Sequence, residues 1–180
     1  MPPEPIPFEP NLRTARLELR KPRRSDAGSI FRNYATDPEV THYLSWEPHR
    51  SVADTHEFLA GLLERWDARQ EASWVLLEHG SPDAIGMISA SFDLHGAMVG
   101  YVLMRERWGR GYMSEALTAV SEYCLARPDV WRVWAYCAVD NRPSARVMEK
   151  AGLTLEGTLR RWARRPGRDP DDCLVYARVR

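Results

Sequence analysis

A hydrophobic run from Ala97 to Met104 passes through Arg-Glu-Arg-Trp-Gly-Arg-Gly-Tyr-Met, residues 105–113, into an amphipathic stretch that ends near Ala126. This strand, turn and helix limit the fold more than any other segment. Gly109 and Gly111 suit a backbone that must turn sharply or approach a ligand closely. A helix starting directly behind them leaves its first N–H groups without intrahelical partners, and such groups collect around a phosphate. N–H groups from about Gly109 through Met113 form the candidate cradle, with Arg107 or Arg110 adding charge at its rim. A tight helix start is the bland alternative, with Trp108 and Tyr112 as packing residues. The pattern is neither Gly-x-x-x-x-Gly-Lys-Ser/Thr nor Gly-x-Gly-x-x-Gly, so the usual markers of nucleotide hydrolysis and dinucleotide binding are missing.

The surrounding sequence reads as a mixed sheet with helices. Arg16 to Arg20 alternates as a strand does, and Ser25 or Asp26 caps a helix reaching about Ala35. Asp37-Pro38-Glu39 opens a short helical turn through Tyr43. Ser51 or Asp54 then opens a longer helix with Phe58, Leu59, Leu62, Leu63 and Trp66 at spacings of three and four. Ser73 to Glu78, Ala84 to Ser91 and Ala97 to Met104 form a meander joined by turn-rich segments. The helix after the glycine turn buries Ala116, Leu117, Val120, Tyr123 and Cys124. A strand at Val130 to Ala138 and a helix at Pro143 to Ala151 follow, and Gly152 stops that helix. Strands near Thr154 to Arg161 and Cys173 to Val179 end the chain. The expected class is α/β (α+β), with about seven strands and no internal repeat.

A chain of 180 residues suits one domain. Its 25 Lys+Arg balance 25 Asp+Glu, which supplies no long-range attraction to nucleic acid or anionic lipid. Cys124, Cys137 and Cys173 sit among apolar neighbours with no zinc or disulfide spacing, and read as buried thiols of a reducing compartment. Pro2, Pro3, Pro5, Pro7 and Pro10 make residues 1–11 a flexible leader, so the domain spans 12–180. There is neither a signal-peptide pattern nor an apolar run of about 20 residues. The expectation is a cytoplasmic protein without membrane, metal or nucleic-acid partners.

A second constellation runs from Val139 to Leu153. Asn141 suits a helix cap and Pro143 the first helical turn. If both helices start at the same sheet edge, Asn141 and Ser144 lie beside a ligand anchored at the glycine turn. Asn141 then bonds an amide-bearing arm and the Ser144 hydroxyl donates to its reacting end. Cap and solvated serine remain the plain alternatives.

Together, Trp108-Gly109-Arg110-Gly111-Tyr112-Met113-Ser114-Glu115-Ala116 and Asp140-Asn141-Arg142-Pro143-Ser144 strongly resemble the two signatures of the GNAT superfamily of acyl-CoA N-acyltransferases. The branch most resembled is that of the ribosomal-protein N-terminal acetyltransferases, supported by Thr14 to Arg20, Asp37 to Val40, Gly100-Tyr101 and Glu149 to Gly157. This resemblance, from about Leu12 onward, implies a mostly antiparallel sheet with helices on both faces and a splayed gap between its fourth and fifth strands, Ala97 to Met104 and Trp131 to Ala138. It implies acetyl-CoA as cofactor, held by Val99, Tyr101, Trp108 to Met113, Asn141 and Ser144, and direct transfer to a primary amine. The acceptor is a protein or peptide N-terminus; acetylation of a small metabolite or antibiotic amine, and a non-catalytic acetyl-CoA sensor, are the alternatives. Ser144 becomes the general acid toward the departing thiolate.

Relatives often place Glu where this chain has Met98, so the base must be Glu115, Asp172, Glu47 or water. An alpha-amine with pKa near about 8 needs less help than a lysine amine near about 10.4. Glu115 also reads as a helix-start residue favoured by the dipole. The early helical region, with His42, Tyr43, Trp46 and Trp66, selects the acceptor in relatives. Its helices and the final hairpin are the candidate homodimer contact.

Overall fold

The computed structural model describes residues 7–180, so Pro2, Pro3 and Pro5 of the expected leader lie outside the described residues. Eight strands form one sheet in the order β1-β2-β3-β4-β5-β6-β8-β7. They are β1 (Asn11–Arg13), β2 (Leu17–Arg20), β3 (Glu71–Glu78), β4 (Ala84–Asp93), β5 (Gly96–Leu103), β6 (Arg132–Ala138), β7 (Thr154–Ala163) and β8 (Asp171–Val179). Every neighbouring pair is antiparallel except β5 and β6. The unforeseen strand is β1, a three-residue edge paired with β2.

Packing begins inside the segment expected to be a loose leader. Phe8 is buried, stacked on Phe92 at 5.2 Å and edge-on to Trp66 at 5.4 Å. The Trp74 indole donates to the Glu9 carbonyl at 3.0 Å. Prolines deny this stretch regular structure, but one aromatic side chain suffices to anchor it.

Helices cover both faces. On one side lie α4 (Tyr112–Ala126) and α5 (Arg142–Lys150), where Leu117, Val120 and Met148 meet Ile88, Ala97 and Val133. On the other lie α1 (Ala27–Ile30), α2 (Pro38–Thr41) and α3 (Val52–Asp67), where Ile30, Tyr34 and Leu59 meet Val75 and Met87. A reciprocal Ser51–Asp54 capping box starts α3. The helix expected from Ser25 to Ala35 is instead a 3-10 turn, the four-residue α1 and a π turn at Phe31–Ala35. Asp26 receives two bonds from the Arg20 guanidinium, at 2.9 and 2.7 Å, and one from the Arg23 N–H at 2.7 Å. Its carboxylate thereby ties the segment to β2.

The parallel pair matters most for function. β5 and β6 pair only at Ala97↔Val133 and Met98↔Trp134. At their closed end, a Cβ on Gly96 would stand 2.2 Å from the Arg132 carbonyl oxygen, at φ +114°. Only glycine lets the strands meet so closely. Beyond Met98 and Trp134 they part, producing the expected gap, although these are the fifth and sixth strands in chain order.

Candidate active site

Because β5 and β6 are parallel, the segments that follow them leave the same sheet edge, where the gap opens. α4 starts after the turn that follows β5, and α5 starts just past β6. Val99, Gly100 and Tyr101 keep their partners Ala90, Ser89 and Ile88 on β4, while on the β6 side they have no ladder partner. A gap edged by unpaired main-chain groups can grip an extended amide-bearing ligand.

Gly109 and Gly111 both hold left-handed backbones, at φ +73° and +79°. Around Gly109 nothing approaches a built Cβ within 4 Å, and around Gly111 the nearest atom is Arg16 Nη2 at 3.5 Å. Conformation rather than crowding therefore requires these glycines. The first N–H of α4's neighbourhood to find a backbone acceptor is that of Glu115, which donates to the Gly111 carbonyl at 3.0 Å. Among the described residues, the N–H groups of Gly109 to Ser114 have no such acceptor. They form a concentrated donor set at a helix N-terminus, and its chemistry suits a diphosphate.

Side chains around this turn brace it. Trp108 Nε1 donates to the Leu103 carbonyl at 2.7 Å. Tyr112 donates its hydroxyl to Glu78 at 2.7 Å, and Arg107 reaches the same carboxylate at 2.8 Å. Those bonds from Arg107 and Tyr112 hold Glu78 below the usual carboxylate range. Arg16 lies 4.3 Å above the Tyr112 ring and donates to the Arg110 carbonyl at 3.0 Å. Trp108 and Tyr112 thus tie their polar ends to the protein, Trp108 stays 44% exposed, and Met113 is buried.

Glu115 belongs to this brace. Its carboxylate accepts from Thr14 Oγ1 at 2.5 Å, the Arg16 N–H at 2.8 Å and Arg16 Nε at 2.7 Å. Burial pushes it upward, but the bonds from Thr14 and Arg16 outweigh that and hold it below the usual range. A carboxylate so engaged braces the turn against the β1–β2 segment.

At the start of α5, Asn141 Oδ1 accepts from the Ser144 N–H at 3.2 Å, the cap that the plain reading expects. Its amide nitrogen has no partner among the described residues. The Ser144 hydroxyl is 2.8 Å from the Tyr101 hydroxyl, which also lies 3.2 Å from the Ser144 carbonyl oxygen. Burial drives the Tyr101 phenol far above its ordinary value, with the Ser144 bond acting weakly the other way. The Tyr101 ring, sought only as part of a strand edge, therefore orients the α5 serine across the gap. The Gly-Tyr pair was the available signal, but the partner lies 43 residues away. Cys137 faces the same hydroxyl, and burial raises its thiol to about 11. All three cysteines are buried and unbridged.

The other proposed bases lie in different settings. Asp172 accepts from the Arg161 N–H at 2.7 Å, where β7 loses register and Arg161 adopts φ +49°. Glu47 lies 3.6 Å from Arg50 on the surface. Among the acceptor-side aromatics, Trp66 is core, packed on Trp74 at 5.7 Å. Trp46 packs with His49 and Phe58. His42 and Tyr43 meet the β7–β8 loop, since Arg165 donates to the His42 carbonyl at 2.8 Å and lies 5.1 Å from the Tyr43 ring. Burial, and then Asp140, raise the Tyr43 phenol. Among the described residues no metal-ligand cluster exists, and no helix is long and apolar enough to cross a membrane.

A family model described as Acetyltransferase (GNAT) domain matches residues 16–154. "Uncharacterized N-acetyltransferase YoaA" of Bacillus subtilis (strain 168) is 30% identical over 174 residues, covering 95% of this chain and 97% of its own. The ribosomal protein uS5-alanine N-acetyltransferase of Escherichia coli (strain K12) is 26% identical, covering 81% of this chain and 79% of its own. A solved GNAT-family acetyltransferase from Bacillus anthracis aligns with a TM-score of 0.81 at 26% identity, covering 94% of this chain and 98% of that one. The ribosomal L7/L12 alpha-N-protein acetyltransferase RimL, solved with coenzyme A, shares the fold at a TM-score of 0.82 and 24% identity, with 92% and 95% covered.

Proposed function

The chain belongs to the GNAT acetyltransferase family and is an acetyl-CoA-dependent acetyltransferase; from that premise we propose that its acceptor is the alpha-amine of a protein or peptide N-terminus. Acetyl-CoA supplies an acetyl group activated as a thioester. The N–H groups of Gly109 to Ser114 hold its diphosphate, which their lack of other acceptors supports. Unpaired edges of β5 at Val99 to Tyr101 fix the amide-bearing arm and polarise the acetyl carbonyl, and the free Asn141 amide nitrogen adds a contact from α5.

Ser144 would supply the proton to the departing sulfur. When the Tyr101 proton goes to Ser144 Oγ at 2.8 Å rather than to the Ser144 carbonyl oxygen at 3.2 Å, the serine proton is free to be delivered to that sulfur. Tyr101 is thus a positioning residue for this step. The acceptor enters from the opposite face, where strand alternation places Met98 and Gly100.

Acceptor choice follows from the missing base. With Met98 in place of a carboxylate and Glu115 held by Thr14 and Arg16, the amine arrives largely neutral or sheds its proton to water. An alpha-amine with pKa near about 8 meets that demand; a lysine near about 10.4 does not. The one observation that carries the reading is the pairing of two helix starts at the open edge of the gap, one with unsatisfied amides and one with an oriented hydroxyl. Thiol release from acetyl-CoA, measured with N-terminal peptides, the same peptides with blocked alpha-amines and free lysine side chains, and small amines, tests it. Release that persists with blocked peptides and matches lysine content would refute it.

A further inference from the structure

The sheet face turned away from α4 and α5 carries an aromatic groove that the transfer chemistry does not use. Strand alternation puts Arg132, Trp134 and Tyr136 there, opposite Val133, Ala135 and Cys137 in the core. Trp134, Leu159, Trp162 and Val175 line a groove of roughly 620 Å³, with His95 at one side. Tyr136 stands 6.3 Å from Trp134 with its ring tilted 35°, and 6.3 Å from Trp162 at 88°. Trp162 is 49% exposed and Tyr136 37%. Tilted and edge-on rings partly open to solvent are a receptacle for another ring.

One lining residue of this groove stands where the reaction gap begins. Trp134 is the last β6 residue paired to β5, and its partner is Met98. From there Gly100, beside the open gap, is two strand residues away, about 7 Å. The charges beside the groove cancel, because Arg132 donates to Glu156 at 2.7 Å. A charged group entering would therefore meet no net opposite charge.

Resting on the acetyltransferase reading above, we infer that this groove receives the first side chain of the acceptor peptide and that the side chain is aromatic. A peptide beginning with Phe, Tyr or Trp presents a 2-arylethylamine unit, a primary amine two carbons from a flat ring. Its ring packs between Trp134 and Trp162 while the short link carries the amine toward Gly100. An N-terminal Ala or Ser leaves those rings in water. The rival occupant is a second copy of the chain laid over the same face.

The test compares wild type, Trp162→Ala and Trp162→Phe, the last keeping a ring at an exposed position. Acceptors are peptides identical except for Phe, Trp, Ala or Ser at position one, together with 2-phenylethylamine. Thiol release gives kcat/KM, calorimetry gives coenzyme A affinity, and sedimentation gives mass. The expected result is a preference of about tenfold or more for the aromatic-first peptides, from the transfer free energy of burying one ring, expressed mainly in KM. Trp162→Ala brings that ratio toward one with coenzyme A affinity intact, and Trp162→Phe largely restores it. Equal or better use of Ala- and Ser-first peptides overturns the inference and leaves acetyl transfer standing. Faster turnover of 2-phenylethylamine than of the Phe-first peptide overturns the peptide assignment. So does a wild-type dimer that Trp162→Ala dissociates. Coenzyme binding without thiol release for any of these amines removes the underlying reading, and the inference with it.

Discussion

Replacing Glu115 by glutamine separates a brace from a base. The native carboxylate accepts three bonds, from Thr14 Oγ1, the Arg16 N–H and Arg16 Nε. An amide can still accept through its oxygen, but its nitrogen then faces the Arg16 guanidinium, donor against donor. A charge-assisted bond is worth about 1.5–3 kcal/mol. Because the Arg16 side chain is 45% exposed, solvent screening discounts that to about 1–2 kcal/mol. For a chain of this size the loss corresponds to about 2–8 °C in Tm. The pH dependence has a definite sign. Glu115 is depressed in the folded protein, so its stabilisation is present above its unfolded pKa and is lost as pH falls through the lower folded value. Glu115→Gln should therefore flatten the acid limb of a Tm–pH curve measured by calorimetry. Its effect on catalysis should appear as a weaker coenzyme KM with kcat within about fivefold of wild type, since the turn is loosened and no proton acceptor is lost. A fall in kcat of about a hundredfold or more, with the acid limb of the pH–rate profile abolished and Tm unchanged, would instead make Glu115 the base.

Gly111→Ala adds a methyl group that meets only Arg16 Nη2 at 3.5 Å, yet forces a left-handed backbone at φ +79°. It should cost about 1–2 kcal/mol and weaken coenzyme A binding by about tenfold in calorimetry; unchanged affinity and Tm would show that the turn tolerates the residue. Ser144→Ala should lower kcat by about a hundredfold or more with coenzyme affinity preserved. Tyr101→Phe should lower kcat by a smaller factor, about tenfold from one lost hydrogen bond, and kinetics equal to wild type would remove its positioning role. If water rather than an enzyme carboxylate takes the proton, kcat/KM should rise with pH along the titration of the acceptor amine itself, near pH ~8 for alpha-amines. A set of peptides differing in amine pKa but sharing one invariant limb would point to an enzyme base.

Local punctuation made much of this fold legible. Gly109, Gly111, Gly152 and Pro143 mark helix boundaries, and alternation marked the strands, because these signals act within a few residues. Features built by distant partners escaped. β1 exists through pairing with β2, and Phe8 is buried by Trp66 and Phe92 from far along the chain. Asp26 suggested a simple cap, but Arg20 claims its carboxylate and the following helix is broken into short pieces. At the site, the glycine turn and the Asn141 cap could be read from spacing, whereas the gap between β5 and β6 came from resemblance alone. Glu115 shows why a carboxylate beside a ligand turn is ambiguous in sequence: its role depends on Thr14 and Arg16, about a hundred residues earlier, 101 and 99 positions respectively. The aromatic groove carries no sequence mark, since Trp134, Tyr136 and Trp162 meet only when β8 lies between β6 and β7.

Amide-resolved NMR during titration with coenzyme A examines the anion turn most directly. The N–H resonances of Gly109 to Ser114 should shift together at low ligand ratios and gain protection from exchange, with Val99 to Tyr101 following as the arm enters the gap. Coenzyme A binding that leaves those six amides unmoved, and perturbs another surface instead, would contradict the assignment of the helix start as the diphosphate cradle.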